Sequence, residues 1–94
     1  MKILLQSFAN IRDVLGAGEL EIELPQPSSL NGLLSELSGR FGAAFNRQIR
    51  DQLTGKIVPF LILVNGLALR STVDLEAKLK DGDTVAIMIP FDGG

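Results

Sequence analysis

Between Glu19 and Leu24 the sequence reads ELEIEL, and after Pro25 and Pro27 its periodicity changes. Strict alternation places Leu20, Ile22 and Leu24 on one face and Glu19, Glu21 and Glu23 on the other, which is the pattern of a half-buried strand with one solvated side. The prolines end it, because neither can donate to a ladder. From Leu30 onward the apolar residues Leu30, Leu33, Leu34, Leu37 and Phe41 recur at i, i+3, i+4, i+7 and i+11. That spacing makes a single stripe along a helix. A strand with one wet face followed by a helix with one apolar stripe must bury both against each other, so the chain is confined to a sheet with a helix packed on one side.

The remaining segments fill in that plan. Lys2 to Phe8 is apolar-rich and reads as a buried first strand, and Gly16 and Gly18 punctuate a loop that holds one helical turn around Ile11 to Leu15. Ser29 is the expected helix N-cap. Gly39 and Gly42 are the positions where the helix can break or bend, and Phe45, Ile49 and Leu53, spaced by four, predict a second helical stretch that stops at Thr54 and Gly55. FLILV, Phe60 to Val64, is continuously apolar, as a central strand buried on both faces would be. Asn65-Gly66 is a strong two-residue hairpin signal, with Leu67 to Leu69 pairing back. Leu75 to Leu79 predicts a turn of helix, Asp81-Gly82-Asp83 a tight turn, and TVAIMI a last apolar strand that Pro90 terminates.

The predicted order is β-β-α-β-β-β, an α+β arrangement with a mixed sheet of about five strands and one long helix across one face. The first and last strands, the most apolar, are expected side by side at the centre. This is the β-grasp, or ubiquitin-like, architecture, expected over residues 1–90, with residues 91–94 as an extended tail ending in Gly-Gly.

Composition excludes most site chemistry. The 94 residues, 46% apolar, suffice for one core and no second domain. Cys, His, Trp and Tyr are all absent, which removes thiolate nucleophiles, imidazole bases and the usual zinc ligands, so no metal site is expected. Nine basic residues against eleven acidic, without a basic cluster, argue against nucleic acid. The longest apolar run, Ile57 to Val64, is eight residues and contains Pro59, far short of the roughly 20 needed to span a bilayer. With no signal-peptide pattern at Met1, the expected compartment is the cytoplasm. Three motifs reduce to structure. The GAG of Gly16 to Gly18 leads into a strand where a dinucleotide fingerprint needs a helix, Asp81 and Asp83 lack further ligands at calcium-loop spacing, and Glu19, Glu21 and Glu23 form a solvated face.

What stands apart is the ending PFDGG. Two terminal glycines arise by chance in about one sequence in two hundred, and here only Phe91 and Asp92 separate them from the strand-ending Pro90.

Together with SFANIRDVLG from Ser7, ILVNG at Ile62 to Gly66 and LKDGDTVAIMIP from Leu79 to Pro90, this ending resembles the MoaD/ThiS family of ubiquitin-like sulfur carriers, and most closely the small subunit of molybdopterin synthase. The resemblance runs over nearly the whole chain. Asp92 departs from it, since the family usually has a small apolar residue before the glycines.

The resemblance implies a function. The Gly94 carboxylate would be adenylated with ATP by an E1-like partner of the MoeB/ThiF type, a sulfur donor protein would replace the AMP, and the thiocarboxylate would deliver sulfur within a molybdopterin synthase large subunit. The chain would then be a carrier and co-substrate, not an enzyme, with no cofactor of its own. Gly93 and Gly94, lacking Cβ, suit a narrow channel in such a partner. The family's exposed apolar positions beside the tail fall on Phe8, Ala68 and Ile89, although Phe8 and Ile89 read equally as core. Phe91 and Pro90 extend the same docking surface. Conjugation of Gly94 to lysines of other proteins, and sulfur carriage for thiamine or cysteine synthesis, remain as alternatives.

Overall fold

A computed structural model describes residues 1–89, with the side chains of Ala9 and Asn10 excepted. Five strands form the main sheet: β1 (Lys2–Ser7), β2 (Glu19–Glu23), β4 (Leu61–Val64), β5 (Leu67–Arg70) and β7 (Thr84–Met88). Two-residue strands β3 (Ser28–Ser29) and β6 (Lys78–Leu79) pair separately, and the helices are α1 (Ala9–Leu15) and α2 (Leu30–Ile49). The sheet order is β2-β1-β7-β4-β5, with β1 and β7 parallel and every other pair antiparallel. The first and last strands therefore do lie together, and β7 occupies the centre.

The alternation in ELEIEL decides the sheet's two sides. Ile22 and Leu20 register with Ile3 and Leu5 and turn inward, while Glu23, Glu21 and Glu19 register with Lys2, Leu4 and Gln6 on the other face. Inward residues of β1, β2, β4 and β7 pack against Leu30, Leu33, Leu34 and Leu37 of α2, all at most 3% exposed. Ser29 caps the helix as expected, its Oγ accepting from the Gly32 N–H at 3.3 Å.

The break expected at the glycines falls at Gly42, whose φ 66°, ψ −143° kinks α2 and divides it into two pieces. Four expectations need correction. The single helical turn around Ile11 to Leu15 is a seven-residue helix, α1, that starts at Ala9.

The second piece does not reach Leu53. Arg50 turns extended at φ −124°, ψ 145° and pairs with Ile57, while Asp51 Oδ1 accepts the N–H groups of Leu53 and Thr54. An aspartate that captures nearby amides competes with helix continuation, and Leu53 is left 96% exposed.

Leu75 to Leu79 is not helical. The carbonyls of Leu75 and Ala77 instead accept the first amides of α2, from Asn31 and Leu30, at 2.9 and 3.0 Å, and Leu79 pairs with Ser28.

Finally, FLILV is not buried on both faces. Ile62 is core, but Leu61 is 44% exposed on the side away from the helices.

Candidate functional site

That open side carries two of the sequence-derived docking positions, Phe8 and Ala68. Strand pairing lays its residues in rows. One row crosses all five strands as Glu19, Gln6, Ala86, Leu63 and Ala68. The next, nearer the end of β7, runs Met88, Leu61, Arg70. Phe8 follows Ser7, which registers with Ile87, and so stands beside Met88 on the β1 side. Phe8, Leu61 and Met88 are each exposed by 43 to 51%, and Ala68 is exposed beside them. Apolar side chains grouped at one end of a sheet face, with charge on both flanks, make an interaction surface.

Local chemistry holds each part. Phe8 has extended backbone at φ −137°, ψ 155°, so its side chain keeps to the face of β1 while its carbonyl accepts from Ile11 and Arg12 to start α1. Ser7 is buried and ties the next loop down, its Oγ donating to the Ala17 carbonyl at 2.8 Å and its N–H to Gly18 at 2.9 Å.

On the far side, Ser71 is fully buried. Its Oγ donates to the Val58 carbonyl at 2.7 Å and accepts the Phe60 N–H at 2.8 Å, and its own N–H bonds the Phe60 carbonyl at 3.0 Å. This serine clamps the entry of β4 to the exit of β5, and so sets where Leu61 stands.

At the opposite end of the sheet Asp83 joins two turns. Its carboxylate accepts from Asn65 Nδ2 at 2.9 Å and from the Lys80 N–H at 2.7 Å, while Asn65 Oδ1 accepts the Thr84 N–H at 2.9 Å. Asn65 itself is at φ 52°, the left-handed conformation a two-residue hairpin turn requires.

Two cavities flank the row at the end of β7. One, about 450 Å³, lies among Gln6, Ser7, Phe8, Arg12, Gly18 and Glu19. The other, about 220 Å³, is lined by Pro59, Phe60, Leu61, Arg70 and Thr72. Among the described residues, no group of three or more acidic side chains could share a metal ion. What the face offers is apolar contact bordered by charge.

Of the expected site residues, Phe8 and Ala68 lie on this face, and Ile89 is half-buried against the core at the end of β7. Pro90, Phe91, Gly93 and Gly94, with the whole expected tail 91–94, lie outside the described residues. Leu61, Leu63, Met88, Arg70 and Ser71 were not singled out from sequence. The alternation of FLILV on a sheet with one covered face was the signal that could have found Leu61 and Leu63.

The ThiS family model matches residues 5–94. The chain belongs to the ThiS family. Small archaeal modifier protein 3 of Haloferax volcanii is 26% identical to this ThiS-family chain over the full length of both. A Pyrococcus furiosus structure assigned as molybdopterin converting factor, subunit 1, is 29% identical, with a TM-score of 0.75 over 97% of this chain and 99% of that one. The crystal structure of SAMP1 from Haloferax volcanii superimposes with a TM-score of 0.81, covering all of both chains; at 21% identity it speaks for the fold. The family is one of small ubiquitin-like sulfur carriers and modifiers rather than enzymes, and this ThiS-family chain is a carrier or modifier of that kind. No helix among its described residues is long and apolar enough to cross a membrane.

Proposed function

We propose that the chain is a sulfur carrier for molybdopterin biosynthesis and that its reactive group is the carboxylate of Gly94. The observation that carries this reading is the extent of the family match, which includes Gly93 and Gly94. The 29% identity to the Pyrococcus furiosus molybdopterin converting factor subunit favours the molybdopterin branch.

A carboxylate oxygen leaves poorly until it is part of an acyl phosphate. The Gly94 carboxylate therefore attacks the α-phosphorus of ATP within an adenylating partner and releases pyrophosphate. Bound sulfide from a sulfur donor protein then adds to the acyl carbon and expels AMP with the former carboxylate oxygen. The thiocarboxylate sulfur then attacks an electrophilic carbon of the acceptor held by a larger catalytic subunit, displacing a leaving group there, and water hydrolyses the resulting thioester, which leaves the sulfur on the acceptor and restores the Gly94 carboxylate. The outer sheet face docks those partners through Phe8 and Ala68, with Ile89 half-buried behind it at the end of β7, and Pro90 and Phe91 continue the contact into the tail.

Incubation with the cognate adenylating enzyme, MgATP and a sulfide source tests this by intact mass. One sulfur-for-oxygen replacement at Gly94 is expected, and none in a variant extended by one residue. An unchanged mass for the unextended chain would refute the reading.

Conjugation to lysines is the second reading, favoured by the full-length match to small archaeal modifier protein 3. Isopeptide-linked Asp-Gly-Gly remnants on cellular proteins would select it.

A further inference from the structure

β5 ends the sheet, and among the described residues it pairs only with β4, so its other edge faces outward. Hydrogen-bond direction alternates along an antiparallel strand. Ser71, the residue after β5, sends its N–H to the Phe60 carbonyl on the β4 side. Leu69 and Leu67 therefore bond toward β4 as well, and the main-chain groups of Ala68 and Arg70 point outward. Outward amides and carbonyls of this kind are a template on which a further strand can form.

At Arg70 the template is already filled. The Arg70 N–H donates to Asp74 Oδ2 at 2.7 Å, and the Arg70 carbonyl accepts the Asp74 N–H at 2.9 Å and the Val73 N–H at 3.3 Å. Asp74 thus does at this residue what a neighbouring strand would do, accepting with its carboxylate and donating with its amide. The opposite edge of the sheet is protected differently. There the Leu24 N–H bonds the Met1 carbonyl and the Ser7 N–H bonds the Gly18 carbonyl, so by the same alternation the outward main-chain groups of β2 belong to Glu19, Glu21 and Glu23. A second copy paired along β2 would set glutamate against glutamate, which is destabilising.

β5 has no such barrier of charge. Its sequence is LALR, with Leu67 65% exposed and Ala68 exposed. Two copies paired antiparallel about a twofold axis at Leu69 would set Leu69 against Leu69 on one face. On the other, each Ala68 would stand against Arg70 of the second copy, with no like charges directly opposite. The edge is self-complementary in that register, and every hydrogen bond of the pairing uses the N–H or the carbonyl of Arg70. We propose that Asp74 is the guard of this edge: by occupying the main chain of Arg70 it keeps β5 from pairing with a second copy of the chain, and its removal turns β5 into a self-association surface. The inference holds whatever chemistry Gly94 performs.

Sedimentation velocity of the full chain over a range of concentrations tests the guard, with far-UV circular dichroism to show that each variant is folded. The parent should sediment as a single copy. Asp74→Ala, which frees the Arg70 N–H, should pair at concentrations at least about tenfold below any at which the parent does. Asp74→Asn loses the same charge but keeps a side-chain acceptor, and should behave as the parent. Ala68→Pro added to Asp74→Ala removes the other outward N–H without costing a bond to β4, and should restore the single copy. Amide hydrogen exchange on the parent is an independent measurement: the Arg70 N–H should be protected and the Ala68 N–H open. A folded Asp74→Ala that stays single overturns the guard, as does Asp74→Asn that pairs as strongly as Asp74→Ala. Pairing that survives Ala68→Pro, or an unprotected Arg70 amide in the parent, overturns it too.

Discussion

Replacing Ser71 by alanine removes one oxygen and leaves two main-chain groups without partners. The Phe60 N–H loses its acceptor and the Val58 carbonyl loses a donor, at a residue with no solvent exposure and next to a phenylalanine that is 4% exposed. A net hydrogen bond contributes about 1 kcal/mol, and a buried group left unpaired costs about 1–3 kcal/mol. The space left by the single deleted oxygen is too small to hold a water in its place, so the expected loss is about 2–3 kcal/mol. For a domain of this size that is a fall in Tm of about 10–20 °C. With no Trp or Tyr in the chain, far-UV circular dichroism is the probe, in urea titrations where the midpoint should fall with the slope unchanged. Ser71→Cys, which keeps a weak donor and acceptor, should lose less than Ser71→Ala. A loss below about 0.5 kcal/mol for Ser71→Ala, the range of an ordinary surface substitution, would refute the clamp.

Two further outcomes follow from the geometry. Gly42→Ala should destabilise by about 1–3 kcal/mol through backbone strain alone, because φ is 66° and a Cβ there meets no atom within 4 Å. A neutral or stabilised variant would mean that the helix runs unbroken, where alanine should gain about 1 kcal/mol over glycine. In a double-mutant cycle, Asn65→Gly, which tolerates φ 52°, and Asp83→Ala should couple by on the order of 1 kcal/mol through the bond between their side chains. Urea midpoints that add without coupling would show that the two turns are independent.

On the reading proposed above, function rests on the Gly94 carboxylate and on one sheet face, and the two do different work. The carboxylate is common to sulfur carriage and protein conjugation, so chemistry at Gly94 alone does not choose between them. On that reading, partner choice lies in surface contacts such as those of the exposed Phe8, Leu61 and Met88.

Features set by local rules were legible in the sequence. Alternation in ELEIEL assigned the inner and outer faces of β2, because side chains of a strand point to opposite sides whatever surrounds it. Ser29 caps α2 through an atom three residues away, and Asn65-Gly66 turns β4 into β5 because those two residues accept left-handed backbone. Leu53 defeated the same reasoning. Its spacing continued the stripe of Phe45 and Ile49, but Asp51 withdrew the amides the next helical turn needed. Leu75 to Leu79 failed as a helix because its carbonyls serve the start of α2, more than forty residues earlier in the chain. Leu61 is as apolar as Ile62, and only the choice of which face the helices cover left one exposed and the other buried. Ser71 carried no local signal, since Phe60 and Val58 are 11 and 13 residues away; Asp83 was legible as a turn residue accepting from Lys80, but not as the partner of Asn65, 18 residues earlier. Periodicity and capping are fixed by neighbours in the chain, and the sequence determined them alone; which apolar residues meet water, and which polar ones are buried as clamps, depends on what packs opposite, and only the assembled sheet and helices decided that.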